Sequence, residues 1–169
     1  SANLLEYTEY CTSLGLVVDS SVQFSAHPDG EIIPTFFQAS SGVTITHDGA
    51  ASIQTGNGSL DGNTTNPDGI GEGVLVPEPM RYMHTGFGSV MHVDFEFDAP
   101  VAGFGLMTAD MFQWGPSTPN ATFEAFDADG NLLGSTPAVN QSFEFDFLYF
   151  MGVVDDAARI KRVRFTNYG

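Results

Sequence analysis

Oxygen-bearing side chains are concentrated in a glycine-rich stretch in the middle of the chain, and their spacing suits calcium. Ca²⁺ takes roughly six to eight oxygen ligands from flexible surroundings. The donors in this stretch are Asp61, Asn63, Asn66, Asp68 and Glu72. Asp61 and Glu72 match the ends of an EF-hand loop, but Asn66 stands where that motif requires glycine. We therefore expect a calcium site outside the EF-hand class, with the alternative that these residues only form turns.

A second oxygen-rich run leaves the same two alternatives open. Asp127 and Asp129 are followed by Gly130 and Asn131, and apolar residues flank the run on both sides. Asp-Gly between two apolar runs favours a hairpin turn. Asp127 and Asp129 are thus predicted either to bind calcium or to form the turn of a hairpin.

Patterns that would indicate an enzyme are incomplete. The histidines lack the spacing of a zinc site; they are His27, His47, His84 and His92. The run Gly86-Phe87-Gly88-Ser89-Val90 is not the nucleophile elbow G-x-S-x-G, because the residue two positions after Ser89 is Met91. With 21 acidic residues in the chain, the presence of carboxylates does not by itself identify a glycosidase pair. We expect no catalytic residues and no enzymatic activity.

Two aromatic residues are candidates for binding sugar rings. Trp114 lies in a loop with Gly115 and Pro116, where an exposed ring can stack on the apolar face of a sugar, and Tyr82 is the second candidate. The alternative for Trp114 is an anchor folded onto the body, because Trp is highly buried on average. The Phe residues of the alternating strands are expected in the core.

Basic residues are clustered near the end of the chain. Four of the five lie within six positions: Arg159, Lys161, Arg162 and Arg164. One alternative is pairing within the chain, across the sheet, with Asp94, Glu96, Glu144 or Asp146. The other is an assembly interface, in which this basic strand meets the acidic body of a second copy and forms an open polymer.

Composition excludes several classes of partner. The chain has 169 residues, with 21 acidic against 5 basic side chains and a formal net charge of −16. Nucleic acids and anionic membranes require a basic surface. No apolar run reaches the roughly 18 residues of a membrane span. The length indicates one domain, 1–169. Cys11 is the sole cysteine and is expected to be buried, and the start Ser1-Ala2-Asn3 suggests the mature end of an exported protein.

Alternation with a period of two dominates the fold prediction. The runs 93–98, 122–126, 143–147 and 162–166 each place apolar residues on one face. Earlier candidate strands are 15–24, 31–38, 43–47 and 73–76. We predict an all-β protein, an antiparallel two-sheet β-sandwich of jelly-roll type. The predicted core comprises Phe95, Phe97, Phe123, Phe143, Phe145, Val163 and Phe165, and the outward residues are Asp94, Glu96, Glu144, Arg162 and Arg164. Residues 1–18 are expected to form a short helix or a free arm.

The C-terminal half resembles a known group of proteins. The runs 93–105, 126–134, 150–156 and 160–165 are similar to the β-sandwich modules of exported bacterial proteins of the PEP-CTERM type. This resemblance covers about residues 90–167, and it implies a jelly-roll fold and an extracellular matrix or exopolysaccharide setting. It implies no catalytic residues. The family's Val-Pro-Glu-Pro signal occurs here at 76–79, in mid-chain, and no apolar span follows it.

Two functions remain open from the sequence. The first is a secreted, non-enzymatic structural or adhesive module that assembles with itself into a matrix or filament, supported by Ca²⁺. The second is a carbohydrate-binding, lectin-like module whose partner is an extracellular polysaccharide. The expected location is extracellular or at the cell surface in both cases.

Overall fold

The structure is a computed structural model. It describes residues 2–17, 20, 22, 24–28, 30–49, 52–55, 81–84, 90–109, 121–136 and 148–168. Within these ranges, no helix combines the length and the hydropathy needed to cross a membrane.

The described part of the chain is mostly β-structure. Its helices are α1 (Ala2–Ser13), a 3₁₀ turn (Phe24–Ala26) and α2 (Gln38–Ser41). Its strands are β1 (Gly30–Glu31), β2 (Val43–His47), β3 (Ser52–Thr55), β4 (Arg81–His84), β5 (Met91–Val101), β6 (Gly103–Ala109), β7 (Ala121–Phe126), β8 (Leu132–Ser135), β9 (Leu148–Val154) and β10 (Ile160–Asn167). Every strand pair among them is antiparallel, which confirms the all-β antiparallel prediction.

Among the described strands, the largest sheet has five in the order β2-β5-β10-β7-β8. Side chains on β5, β7 and β10 alternate between the core and the opposite face, as the period of two predicts. The predicted core residues within the described ranges are buried: Phe95, Phe97, Phe123, Val163 and Phe165. Of the predicted outward residues, Glu96 is exposed and Asp94, Arg162 and Arg164 are half-buried. Phe143, Phe145 and Glu144 lie outside the described residues.

A second pair of strands, β6 and β9, packs against the buried face of this sheet. The contact is made by Phe104 of β6, whose ring centre lies 4.8 Å from that of Phe95, 5.5 Å from that of Phe97 and 6.1 Å from that of Phe123. Phe104 is half-buried, so it stabilises the fold by less than the about 1.5–3 kcal/mol of a completely buried Phe side chain. These aromatic contacts therefore hold the two sets of strands together.

The chain passes between the two sheets twice at the same end. It leaves β5 for β6 at Ala102, and it returns from β9 to β10 through residues 155–159. The backbone N–H of Asp155 donates to the carbonyl of Ala102, with an N–O distance of 2.8 Å. This hydrogen bond joins the two crossings.

Helix α1 resolves the alternatives that the sequence left for residues 1–18, because residues 2–13 are helical. The hydroxyl of Tyr7 donates to the carbonyl of Val153 on β9 over 3.4 Å. Burial, and then the neighbouring Cys11, raises the pKa of Tyr7. Cys11 itself is half-buried, so the prediction of a buried thiol is wrong.

Residues 15–37 differ most from the sequence prediction. The described residues of 15–24 contain no strand, and β1 ends at Glu31. Residues 34–37 form a turn that leads into α2, because Pro34 has no N–H to donate to a neighbouring strand. Gly42 then ends the helix in a left-handed conformation (φ 64°). β1 instead joins a small sheet in the order β1-β3-β4. Strand β2 matches the predicted strand 43–47, and 73–76 lies outside the described residues.

Buried His27 anchors this irregular segment. Its Nδ1 lies 2.6 Å from the carbonyl oxygen of Pro28, and its Nε2 accepts the backbone N–H of Ile33 over 3.0 Å. The ring centres of Phe36 and Phe37 lie 4.5 and 5.8 Å away. Since Nε2 accepts, the proton of the neutral ring sits on Nδ1 and is donated to Pro28. His27 is thus a structural residue of the core.

Candidate binding face

The outer face is defined here as the side of the five-stranded sheet opposite Phe95, Phe123 and Val163. Cross-strand register arranges its side chains in rows that run across the strands. The Arg164 row contains Thr46, Asp94, Arg164, Glu124 and Ser135. The Arg162 row contains Thr44, Glu96, Arg162, Phe126 and Leu132. Charged groups therefore occupy the middle of the face, and an apolar pair lies at one side of the Arg162 row.

Arg164 and Asp94 form the central ion pair of the outer face. Nε and NH2 of Arg164 donate to the two carboxylate oxygens of Asp94 over 2.8 and 2.7 Å. Bidentate pairs of this kind are stronger and more directional than single hydrogen bonds. Hydrogen bonding to Asp94 raises the pKa of the Arg164 guanidinium. The pair fixes Arg164 in place, so its fork is already occupied.

Arg162 has a different environment. Its guanidinium carbon lies over the ring of Phe126 at 4.4 Å from the ring centre, and its NH1 lies 3.8 Å from an oxygen of Asp94. Arg side chains commonly stack on aromatic rings in this way. Leu132, the cross-strand partner of Phe126, is 55% exposed. Together, Arg162, Phe126 and Leu132 form an accessible surface that combines apolar area with several N–H donors; we call these three residues the platform.

The sequence prediction missed Phe126, because it placed the Phe residues of the alternating strands in the core. The strand alternates so that Ala121, Phe123 and Ala125 are buried, whereas Phe126 is half-buried and pairs with Arg162 on the outer face. The general expectation that the Phe residues of the alternating strands lie in the core is therefore wrong for Phe126, which is not among the named core residues. The sequence alone could have predicted this position, because Phe123 and Phe126 are an odd number of residues apart and must point to opposite faces of one strand.

All four clustered basic residues have partners within the chain. Arg159 binds Asp155 through Nε–Oδ2 (3.0 Å) and NH2–Oδ1 (2.7 Å), and these contacts lower the pKa of Asp155 to about 2. Lys161 Nζ donates to the carbonyl of Asp98 over 2.8 Å. With Arg162 and Arg164 close to Asp94, the structure shows the intrachain alternative. An assembly role for these residues stays a prediction.

Asp127 organises the β7–β8 turn. Its Oδ1 accepts the backbone N–H groups of Asp129 (2.9 Å) and Asn131 (2.8 Å), and its Oδ2 accepts the Asn131 side-chain amide (3.0 Å). These hydrogen bonds, first those from Asn131, lower the pKa of Asp127. Gly130 supplies the positive φ (82°) that the turn requires. Both oxygens of Asp127 are thus used by the hairpin, the second of the two predicted alternatives.

The remaining predicted binding residues fall into two groups, the calcium ligands of 61–72 and the aromatic sugar-binding candidates. Asp61, Asn63, Asn66, Asp68, Glu72 and Trp114 lie outside the described residues. Tyr82 lies on β4 opposite Gln54, and its side chain is likewise outside the described part of the structure. Among the side chains that are described, no group of three or more His, Cys, Asp or Glu residues converges as a metal site would. The calcium site at 61–72 stays a prediction.

One trio on the sheet has the residue types of a hydrolase triad. His92 Nδ1 lies 3.0 Å from the hydroxyl oxygen of Thr166, and His92 Nε2 lies 3.9 Å from a carboxylate oxygen of Asp48. A nucleophile must reach its substrate, yet Thr166 is only 2% exposed. The trio therefore stabilises the strand ends and does not present an accessible nucleophile.

A shallow cleft of about 300 Å³ lies between β8 and β9. Its walls include the backbone of Gly134 and Gly152 and the side chains of Leu133 and Val153. Asp155 is its charged residue, and its carboxylate is bound to Arg159. Its other polar side chains are Ser135 and Thr136, and the Thr136 hydroxyl oxygen already accepts the backbone N–H of Phe123. The outer face is the stronger candidate site.

Comparisons with known proteins do not assign the chain to a family. No protein-family model, curated protein or solved structure matches it. The resemblance to modules of the PEP-CTERM type thus stays a prediction from the runs quoted above.

Proposed function

We propose that this protein is a non-catalytic, carbohydrate-binding β-sandwich of an exported bacterial protein, and that the outer face holds the glycan. The observation that carries the proposal is the platform, in which Arg162 lies over Phe126 beside the exposed Leu132. A sugar ring has apolar C–H faces and a rim of hydroxyls. A partly apolar surface with N–H donors beside it matches both features.

The platform is also built on a rigid support. Phe126 and Arg162 are direct cross-strand partners on two central strands, and Arg162 is held from the other side by Asp94. Sites on packed strands lose less entropy on binding than sites on loops, because their side chains are already ordered. A preformed face of this kind suits an adhesive module that must hold a long polysaccharide through many weak contacts.

A two-sheet sandwich of jelly-roll type is the architecture that we propose for this module. The packing of Phe104 between the β6–β9 pair and the five-stranded sheet supports two facing sheets. The two crossings at Ala102 and at 155–159 support connections that pass from one sheet to the other, as in sandwiches.

Self-assembly into a matrix or filament is a weaker proposal on the described residues. The mechanisms expected from sequence were a free basic strand and an extended N-terminal arm. The basic residues are paired within the chain, and residues 2–13 are helical. Calcium bridging between acidic copies remains compatible with the net charge of −16.

A binding screen tests the proposed function. Wild-type protein is incubated with insoluble cellulose, xylan, chitin and partly deacetylated chitin, and the bound fraction is measured. We expect retention on at least one polysaccharide, and we expect Phe126→Ala to weaken that retention by about tenfold or more, equivalent to roughly 1.4 kcal/mol. Tyr10→Ala is the matched control, because Tyr10 is an exposed aromatic residue of α1 and lies off the outer face. Loss of retention in both variants alike, or no retention of the wild type, would contradict the proposal.

A further inference from the structure

We infer that the glycan bound by the outer face is a cationic amino-sugar polymer rather than a neutral or uronic-acid polymer. The inference rests on the proposed function and deepens it. The observation that carries it is that the carboxylates on either side of Arg162 and Arg164, those of Glu96 and Glu124, form no hydrogen bonds in the part of the chain that the structure describes. Glu96 is exposed and, in the described structure, forms no hydrogen bond or ion pair, and Glu124 likewise has no hydrogen bond.

Neither carboxylate is hydrogen-bonded to an arginine within the described residues, although the half-buried Glu124 lies opposite Arg164 and attracts it electrostatically. Arg164 uses its Nε–NH2 edge on Asp94, and Arg162 contacts Phe126 and Asp94. Glu96 is the cross-strand partner of Arg162, yet no nitrogen of Arg162 lies within ion-pair distance of it. The outer face therefore presents two carboxylates that form no hydrogen bond within the described residues, the exposed Glu96 and the half-buried Glu124.

The two carboxylates lie in different rows, Glu96 beside Arg162 and Glu124 beside Arg164, and do not form one cluster. Glu96 lies on β5 and Glu124 on β7, with β10 between them. Two strand spacings separate the two by roughly 10 Å across the sheet. This separation is too large for one metal ion to bind both, because oxygen–calcium distances are only about 2.4 Å. The distance between the two carboxylates suits a polysaccharide that carries a positive group on several successive sugars.

Charge complementarity then selects among glycans. A uronic-acid polymer would meet Glu96 and Glu124 and would find the Arg164 fork already bound to Asp94. A neutral glycan can use the platform but gains nothing from the carboxylates. A glucosamine polymer uses both, because its rings contact Phe126 and its ammonium groups pair with Glu96 and Glu124.

The test compares two ligands of equal length, a glucosamine oligosaccharide and an N-acetylglucosamine oligosaccharide, at a pH where the sugar amines are protonated. Titration calorimetry gives the dissociation constants. We expect the wild type to bind the amine form about tenfold or more tightly than the acetylated form. The double variant Glu96→Gln/Glu124→Gln should lose this preference while still binding the acetylated form.

A charge-matched control separates a site from the general negative charge of the protein. Glu6→Gln/Glu9→Gln changes the net charge by the same amount on α1, where both residues are exposed, and should keep the preference. Equal loss of preference in both double variants, or equal affinity of the wild type for the two ligands, overturns the inference. If the acetylated ligand binds through Phe126 and the amine adds nothing, the proposed function survives and only the inference fails. If neither ligand binds, the inference fails, and the polysaccharide screen decides the proposed function.

Discussion

Arg162 and Phe126 are direct cross-strand partners, and the guanidinium carbon of Arg162 lies 4.4 Å from the centre of the Phe126 ring. At an exposed site such a contact stabilises the fold by only about 0.5–1 kcal/mol. Its main effect is to order the two side chains on the outer face. Asp94 holds Arg164 beside them, so the middle of the face is preorganised before any ligand binds.

The first prediction concerns Asp94, which lies close to both arginines of the outer face. Asp94→Asn should lower the free energy of unfolding by about 1.5–3 kcal/mol, the range for hydrogen bonds to charged groups, because it leaves two guanidinium groups without their carboxylate. Urea unfolding followed by circular dichroism measures this change. Glu96→Gln, on the same strand and face, is the control and should shift stability by no more than about 0.5 kcal/mol. Similar free energies of unfolding for the two variants would show that the ion pair of Asp94 and Arg164 contributes little to stability.

The second prediction concerns stability in acid. The pKa of Asp155 is about 2 in the folded protein against an ordinary 3.8, because Arg159 hydrogen-bonds its carboxylate. A depressed folded pKa contributes stability above the unfolded pKa, and this contribution is lost as the pH falls from about 4 towards 2. Asp155→Asn should therefore be less stable than the wild type at neutral pH, and the difference should shrink below pH 4.

Urea unfolding over a series of pH values measures this difference. Asp156→Asn is the control, because the carboxylate of Asp156 is exposed and accepts no hydrogen bond from the described residues. Its stability should follow the wild type across the series. A gap between wild type and Asp155→Asn that stays constant down to pH 2 would exclude the proposed origin of the shift.

The third prediction concerns His27 as an anchor of residues 24–37. His27→Ala should destabilise the protein by at least about 2 kcal/mol, because it leaves a cavity beside Phe36 and leaves the Ile33 N–H and the Pro28 carbonyl without their partner. His47→Ala is the control, since His47 is half-buried and contacts the Gly49 carbonyl near the surface. Thermal and urea unfolding of both variants make the comparison. Equal stability of the two would refute an anchoring role.

The fourth prediction concerns the docking of α1. A Cβ at Gly103 would lie 2.8 Å from the Tyr7 hydroxyl oxygen and 3.2 Å from the Val153 carbonyl oxygen. Gly103→Ala should cost about 1–3 kcal/mol as Tyr7 is displaced, and the cost should be smaller in a Tyr7→Phe background that lacks the hydroxyl. Gly134→Ala is the control, because nothing lies within 4 Å of its added Cβ. Additive costs in the double variant would mean that Tyr7 does not contact this position.

The regular part of the fold was predictable because period-two alternation determines which face is buried. Phe95, Phe123 and Val163 are in the core as their strands predicted, and the Asp-Gly turn forms a hairpin. The segment 31–38 was mispredicted because its apolar residues read as a strand, whereas Pro34 and the His27 hydrogen bonds impose a turn. A contact between His27 and Ile33 leaves no periodic signal in the sequence.

The candidate site was predictable only in part. The sequence placed Arg162 and Arg164 on one face and proposed acidic cross-strand partners, but four acids were equally eligible. Strand order and register decide among them, and these depend on contacts between distant segments. They bring Arg164 opposite Asp94 on one side and Glu124 on the other, and Arg162 opposite Phe126.

The central claim is that the outer face binds a glycan, and amide chemical-shift mapping tests it most directly. The ¹⁵N-labelled protein is titrated to saturation with an oligosaccharide of the polysaccharide that retains it in the binding screen, and shift changes are assigned along the chain. We predict that the largest changes cluster at 94–96 on β5, 162–164 on β10 and 124–126 on β7, and that they disappear in Phe126→Ala. Changes concentrated on α1 or on the β1-β3-β4 sheet, or no changes at saturating ligand, would contradict the claim.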